Sequence, residues 1–248
     1  MAAGSKHVRT AWRKQVAWLR SRPALVGALV AIGVGAGLPT LLMPYGMRMF
    51  VLGALLPIVL VAAWWFSLVS TGSYRLYVGA LAEDFTSETL GALRRVGWRI
   101  FDGVEFADFD VDHVAVGPGG VLAVETKWTD KRWDVDARRR DRWLDDAIVQ
   151  ARIGARRIDS FLRSSGLDIP VVPVLILWGP CVVDIEGGSR VVDGAVVLAG
   201  RQEGLWRSEL EKDHVDQWSL DAAAEALEAY QVAHAAAARR TSASTRSA

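Results

Sequence analysis

Two uncharged apolar runs, residues 23–47 and 49–74, dominate the first third of the chain, with only Arg48 between them. Each is about 25 residues, enough to cross a hydrocarbon core of about 30 Å at about 1.5 Å per residue. They predict two transmembrane helices, at about 24–44 and 49–70, joined by the turn Pro44-Tyr45-Gly46-Met47-Arg48. Trp64-Trp65-Phe66 and Tyr74 suit a lipid–water interface. Further along, the apolar pattern shortens. Leu81, Phe85, Leu90, Leu93 and Val96 recur at helical spacing before Gly97. Trp98–Phe101 reads as a strand, residues 111–127 as a hairpin around Pro118-Gly119-Gly120, and Arg132–Val135 as a short fourth strand. Asp145–Leu162 presents Ile148, Ala151, Ala155, Ile158 and Leu162 on one helical face. Val171–Trp178 is a near-continuous apolar run, the mark of a strand buried on both sides. Val191–Leu198 is another strand candidate. The alternation predicts an α/β domain over residues 75–200, a mixed β-sheet flanked by helices. Residues 201–238 read as C-terminal helices, and 239–248, without an apolar pattern, as a disordered tail.

Charge fixes the orientation expected of the hairpin. Residues 1–22 form a basic tail with Lys6, Arg9, Arg13, Lys14, Arg20 and Arg22. Basic flanks stay cytoplasmic, so both termini and the soluble domain are expected there, in a two-pass integral protein of the plasma membrane. The lipid bilayer is then one partner, and Gly27, Gly33, Gly35 and Gly37 offer small-residue surfaces for a homo-oligomer through the transmembrane hairpin. Neither span contains an ionisable residue, which disfavours a channel or transporter. The net charge of +1 does not by itself imply nucleic acid. A modest basic face gathers Arg138, Arg139, Arg140, Arg142, Arg152, Arg156, Arg157 and Arg163, diluted by neighbouring acids; its default role is a solvated surface. Cys181 is the single cysteine, which rules out an intrachain disulfide or a cysteine metal cluster and fits a reducing compartment.

The hairpin of residues 111–127 carries the chemistry. If Val116 faces Val121 across the turn, Asp112 faces Glu125, with Cβ atoms about 5 Å apart. Facing carboxylates destabilise a sheet, and a divalent cation between them reverses that sign. Lys127 shares the face of Glu125. A three-residue loop with a bulge at Gly120 shifts the pairing by one and turns Asp112 away. Charged strand ends of an edge hairpin are the plainer account of the same residues. His113 points away from Asp112 and reads as structural. Asp108 and Asp110 serve the preceding turn, with Asp110 taking the place of Asp112 if the register slips, and His214 and His234 read as surface residues. Trp128, Trp133 and Trp143 either cover the core or stack on bases of a single strand. No Gly-x-x-x-x-Gly-Lys phosphate loop occurs.

Asp112-His113, the following Val-Gly-Pro-Gly-Gly-Val and then Glu125-Thr126-Lys127 resemble the core of the nuclease-related domain (NERD) family of the PD-(D/E)XK nuclease-like superfamily. Gly79-Ala80-Leu81-Ala82-Glu83 is similar to the family's Gly-x-x-Gly-Glu helix start, with Ala82 in place of the second glycine. Gln150 resembles the glutamine of the family's later helix. The likeness covers roughly residues 75–180. It implies a restriction-endonuclease-like fold and metal-assisted hydrolysis of phosphodiesters in nucleic acid, DNA or RNA. The implied ligands of Mg2+ (or Mn2+) are Asp112, Glu125, the carbonyl of Thr126 and Glu83. Lys127 is the implied water-positioning or charge-stabilising group, and Gln150 an orienting one. By themselves, Glu83 is also a dipole-favoured acid of a first helical turn, and Gln150 an exposed helix residue. A non-catalytic module that tethers nucleic acid or a protein at the membrane is the alternative.

Overall fold

The computed structural model describes Val16 and residues 42–137, 140–210 and 216–244. The basic tail, most of the first expected span, its glycines, Arg138, Arg139, His214 and residues 245–248 lie outside the described residues. The chain divides into two compact units, Met1–Ala80 and Leu81–Ala248.

In the first unit, α1 (Tyr45–Ser70) holds the second expected span and contains Pro57. Ile58, Val61, Trp64, Trp65, Phe66 and Val69 are all exposed on it. Trp65 meets Tyr74 edge to face, centroids 5.6 Å apart. Among the described residues no single helix is long and apolar enough to cross a membrane; Pro57–Ser70 and Ser73–Val96 meet that test only as a bent pair. The boundary between the units falls within α2 (Ser73–Gly91), which runs on into a 3-10 segment, Ala92–Val96.

The second unit is built on a six-stranded sheet in the order β1-β2-β3-β4-β6-β5. Its strands are β1 (Arg99–Glu105), β2 (Asp110–Gly117), β3 (Gly120–Trp128), β4 (Val171–Trp178), β5 (Ser189–Val192) and β6 (Ala195–Ala199). β1, β2 and β3 pair antiparallel; β3, β4 and β6 run parallel, and β5 closes the edge antiparallel to β6. The parallel step from β3 to β4 needs a crossover, and α3 (Arg142–Ser164) provides it. Asp141 caps α3, its carboxylate accepting from the Trp143 N–H. Two further helices follow, α4 (Glu203–Leu210) and α5 (Gln217–Ser244).

Strand alternation sends side chains to two apolar layers. On one face, Ala155, Ile158 and Leu162 of α3 and Leu220, Ala223 and Leu227 of α5 cover Val114, Val116, Val121 and Ala123. Leu144, Ile148 and Ala151 continue that layer over Leu175, Leu177 and Val197. On the other face, Leu90, Leu93 and Trp206 cover Ala115, Leu122, Val124, Val174, Ile176 and Leu198. The mixed sheet with helices on both faces is the architecture the sequence predicts.

Several boundaries differ from expectation. The first strand extends to Glu105, because Val104 is pulled into the core opposite Val111. Arg132–Val135 forms no strand, only an isolated bridge between Trp133 and Val182. Val191–Leu198 is not one strand but the centre of the β5–β6 hairpin, turned at Asp193-Gly194, where both residues have positive φ. That Asp-Gly pair is a hairpin signal in the sequence itself. α5 continues to Ser244, past Arg239, where the sequence reading begins its disordered tail.

Candidate active site

The β2–β3 register pairs Val116 with Val121 and His113 with Val124. The turn is tight, Gly117 facing Gly120, and the one-residue slip does not occur. One step further along the same register, Asp112 stands opposite Glu125. The backbone ladder ends before this pair, and the Thr126 N–H donates to Asp112 Oδ2 at 2.8 Å. The carboxylate therefore takes the place of a backbone acceptor where the strands part. On the other side of β2, Gly103 of β1 has φ +61 and interrupts the pairing between Asp102–His113 and Val104–Val111. No side chain rises beside Asp112 from that strand.

Glu125 is buried, and Lys127 Nζ lies 2.6 Å from its Oε1. Burial pushes the Asp112 carboxyl well above the usual carboxylate range, and the charge of Glu125 adds to the effect. Glu83 raises it further, while the Thr126 N–H and the Lys127 ammonium oppose the shift. Asp112 thus feels the carboxylates of Glu125 and Glu83 and the ammonium of Lys127, and a divalent cation beside neighbouring carboxylates would relieve their repulsion.

Thr126 faces the opposite layer. Its hydroxyl donates to Thr86 Oγ1 at 3.1 Å, and Trp178 Nε1 donates to the same oxygen at 2.7 Å. Thr86 lies one helical turn after Glu83 on α2, so this buried bond set fixes the helix that carries Glu83 against the end of β3. Thr86 and Trp178 escaped the sequence reading. The available signal was the i, i+3 spacing from Glu83 and a tryptophan ending an otherwise aliphatic strand.

Gln150 is exposed on α3 and makes no hydrogen bond or ion pair with Asp112, Glu125 or Lys127 among the described residues. It precedes Gly154 by one turn, and a Cβ on Gly154 would lie 3.6 Å from Val111. Gln150 therefore sits on the side of α3 that looks toward the start of β2. His113 is buried, with Nδ1 2.8 Å from Asp102 Oδ1, and Ser87 Oγ donates to the same oxygen. That contact holds the Asp102 carboxyl below its ordinary value; His113 is structural, as its strand parity predicts. Asp108 pairs with Arg157. His234 Nε2 lies 3.6 Å from Glu105. Trp133 is in the core, while Trp143 is exposed under Lys131.

The basic face is largely neutralised. Arg140 binds Asp145 and Asp193 at 2.8 and 2.6 Å, and Arg163 binds Asp159 and Asp168, each at 3.0 Å. Arg152 and Arg156 make no ion pair among the described residues. Nor does any group of three or more His, Cys, Asp or Glu side chains there converge as a ready metal cage. Two carboxylates suffice for Mg2+, which keeps several of its waters.

Residues 78–178 match the family model of the nuclease-related domain. The chain carries a nuclease-related domain. No curated protein and no solved structure matches the chain. The matched stretch of the nuclease-related domain begins in α2 before Glu83 and ends at Trp178, so it spans Asp112, Glu125, Lys127, Gln150 and Thr86. β5, β6, α4 and α5 lie beyond it, and α5 supplies part of the layer under β2.

Proposed function

We propose that the nuclease-related domain hydrolyses phosphodiester bonds of nucleic acid with a bound Mg2+ or Mn2+ ion. The observation that supports this most directly is Asp112 at the end of the β2–β3 ladder, bonded to the Thr126 N–H next to Glu125, with Lys127 against Glu125. The carboxylate oxygens of Asp112 and Glu125 are hard donors, which suits a dication. Asp112 Oδ2 accepts one N–H, which leaves Oδ1 and further lone pairs for a ligand. The ion would neutralise phosphate oxygens and favour attack by water. The protein's own part is positional. Glu125 holds the Lys127 ammonium at the site, where it faces charge developing on the phosphoryl group. Glu83, anchored through Thr86, and Gln150, at the rim of α3, orient what enters.

A second reading has an observation in its favour. Asp112 already serves Thr126, and Lys127 already satisfies Glu125. Such a closed arrangement suits a non-catalytic module that binds nucleic acid or a protein. Nicking of plasmid DNA and of a structured RNA by the full chain with Mg2+ separates the two. The nuclease reading expects Asp112→Ala and Lys127→Ala each to lower the rate by about 100-fold or more; a rate that neither substitution changes would dismiss it.

We further infer a two-pass anchor in the plasma membrane, with both termini and the domain cytoplasmic. The apolar, exposed side chains of α1 and the basic residues ahead of the first run support it. Pairing of anchors through the small residues of the first run would bring two domains together.

A further inference from the structure

A groove of about 520 Å3 opens between α2 and the segment that follows β6. Its volume lies within the range of small-molecule sites, about 300–1,000 Å3. Its walls are Phe85, Trp178, Arg201, Arg207, Glu88 and Glu203. It lies on the Thr126 side of the sheet, at the end where β3 and β4 stop. Phe85 is two residues past Glu83 on α2, and Trp178 pairs with Trp128, the neighbour of Lys127 on β3. One bond chain runs from Asp112 through the Thr126 N–H, the Thr126 hydroxyl and Thr86 Oγ1 to Trp178 Nε1.

The aromatic floor is held rigidly. A Cβ on Gly200 would come within 2.5 Å of the Trp178 ring, so that side of the indole lies flat on the backbone. Phe85 leans on Trp178 with centroids 5.4 Å apart at 45°, and 41% of Phe85 is exposed. A propped, half-open aromatic ring is what a base stacks on. Arg201 donates from one guanidinium nitrogen to the Val182 carbonyl. Arg207 makes no hydrogen bond or ion pair among the described residues and lines the same groove. Two arginines against two glutamates give no net charge, so the groove does not suit a run of phosphates. It suits one aromatic, hydrogen-bonding ring with a single phosphate at Arg207, the carboxylates accepting from amino or hydroxyl groups.

We propose that this groove holds one unpaired nucleotide of a single-stranded nucleic acid, its base on Phe85 and its phosphate at Arg207. The inference rests on the nucleic-acid reading of the domain and narrows the substrate to strands with an unpaired base. Duplex DNA cannot present such a base without unstacking it.

The test uses the full chain in detergent micelles, with EDTA to prevent cleavage. Fluorescence anisotropy reads the binding of a labelled single strand of about 15 nucleotides and of a blunt duplex of the same length. The expected result is tighter binding of the single strand, weakened about tenfold by Phe85→Ala, retained by Phe85→Tyr and weakened by Arg207→Gln. Thermal unfolding of each variant identifies any that merely fails to fold, and Arg207→Gln then carries the comparison. Single-strand affinity that neither Phe85→Ala nor Arg207→Gln changes overturns the groove assignment. Cleavage of the same labelled single strand by the same wild-type preparation, with Mg2+ restored, reports the catalytic reading separately. Cleavage without Phe85-dependent binding overturns the groove alone, and Phe85-dependent binding without cleavage overturns catalysis alone.

Discussion

Asp112 does two things at once, and its protonation shows the tension between them. As an acceptor it terminates the β2–β3 ladder at Thr126. As a buried acid beside Glu125 it ionises with difficulty. With metal removed, its carboxyl protonates at a higher pH in the folded chain than in the unfolded one, where the ordinary value is 3.8. The folded state then binds more protons across that interval, and stability falls as pH rises through it. Asp112→Asn keeps an acceptor for Thr126 and cannot ionise. In EDTA it should raise Tm at about pH 7 and give no gain at about pH 3, by differential scanning calorimetry; equal Tm values at neutral pH would show that burial of the charge costs nothing. Asp112, Glu125 and Lys127 were legible in the sequence because charges on an apolar hairpin stand out. Their register was not, since a two-residue and a three-residue turn fit the same Pro-Gly-Gly segment. The close approach of Gly117 to Gly120 decides it.

At the scale of elements, Thr86 links α2, β3 and β4 through one oxygen. It is fully buried, so removing its hydroxyl strands Trp178 Nε1 without an acceptor. Thr86→Val should destabilise the domain by about 1–3 kcal/mol in denaturant unfolding, with Thr86→Ser close to wild type. If Val and Ser behave alike, the bond set does not hold α2 in place. Core truncation gives the scale for comparison: Ile158, fully buried on α3, should cost about 2–5 kcal/mol as Ile158→Ala. Long periodic elements such as α3 and β4 could be read from the apolar pattern, since burial imposes that pattern. The β5–β6 hairpin could not be read as easily, because Val191 and Val192 ahead of the turn and Val196 and Val197 after it make one apolar run. Only Asp193-Gly194 divides it. Thr86 stayed hidden for another reason. A buried hydroxyl has no pattern of its own, and its value depends on partners 40 and 92 residues away.

For the molecule as a whole, the two units pose separate questions. The nuclease-related domain rests on a sheet covered on both faces. The first unit presents aliphatic and aromatic side chains outward along α1, a surface that water alone does not favour. Full-length protein is expected to stay with the membrane pellet after extraction at alkaline pH and to dissolve in detergent. Recovery in the aqueous extract would remove the anchor while leaving the domain untouched. The most direct measurement of the central claim concerns the domain. Isothermal titration calorimetry of Mn2+ or Mg2+ into the full chain should show one ion bound, with binding abolished by Asp112→Ala and the oligonucleotide-bound chain behaving alike. No metal uptake, with or without oligonucleotide, or uptake that Asp112→Ala leaves unchanged, would contradict the account.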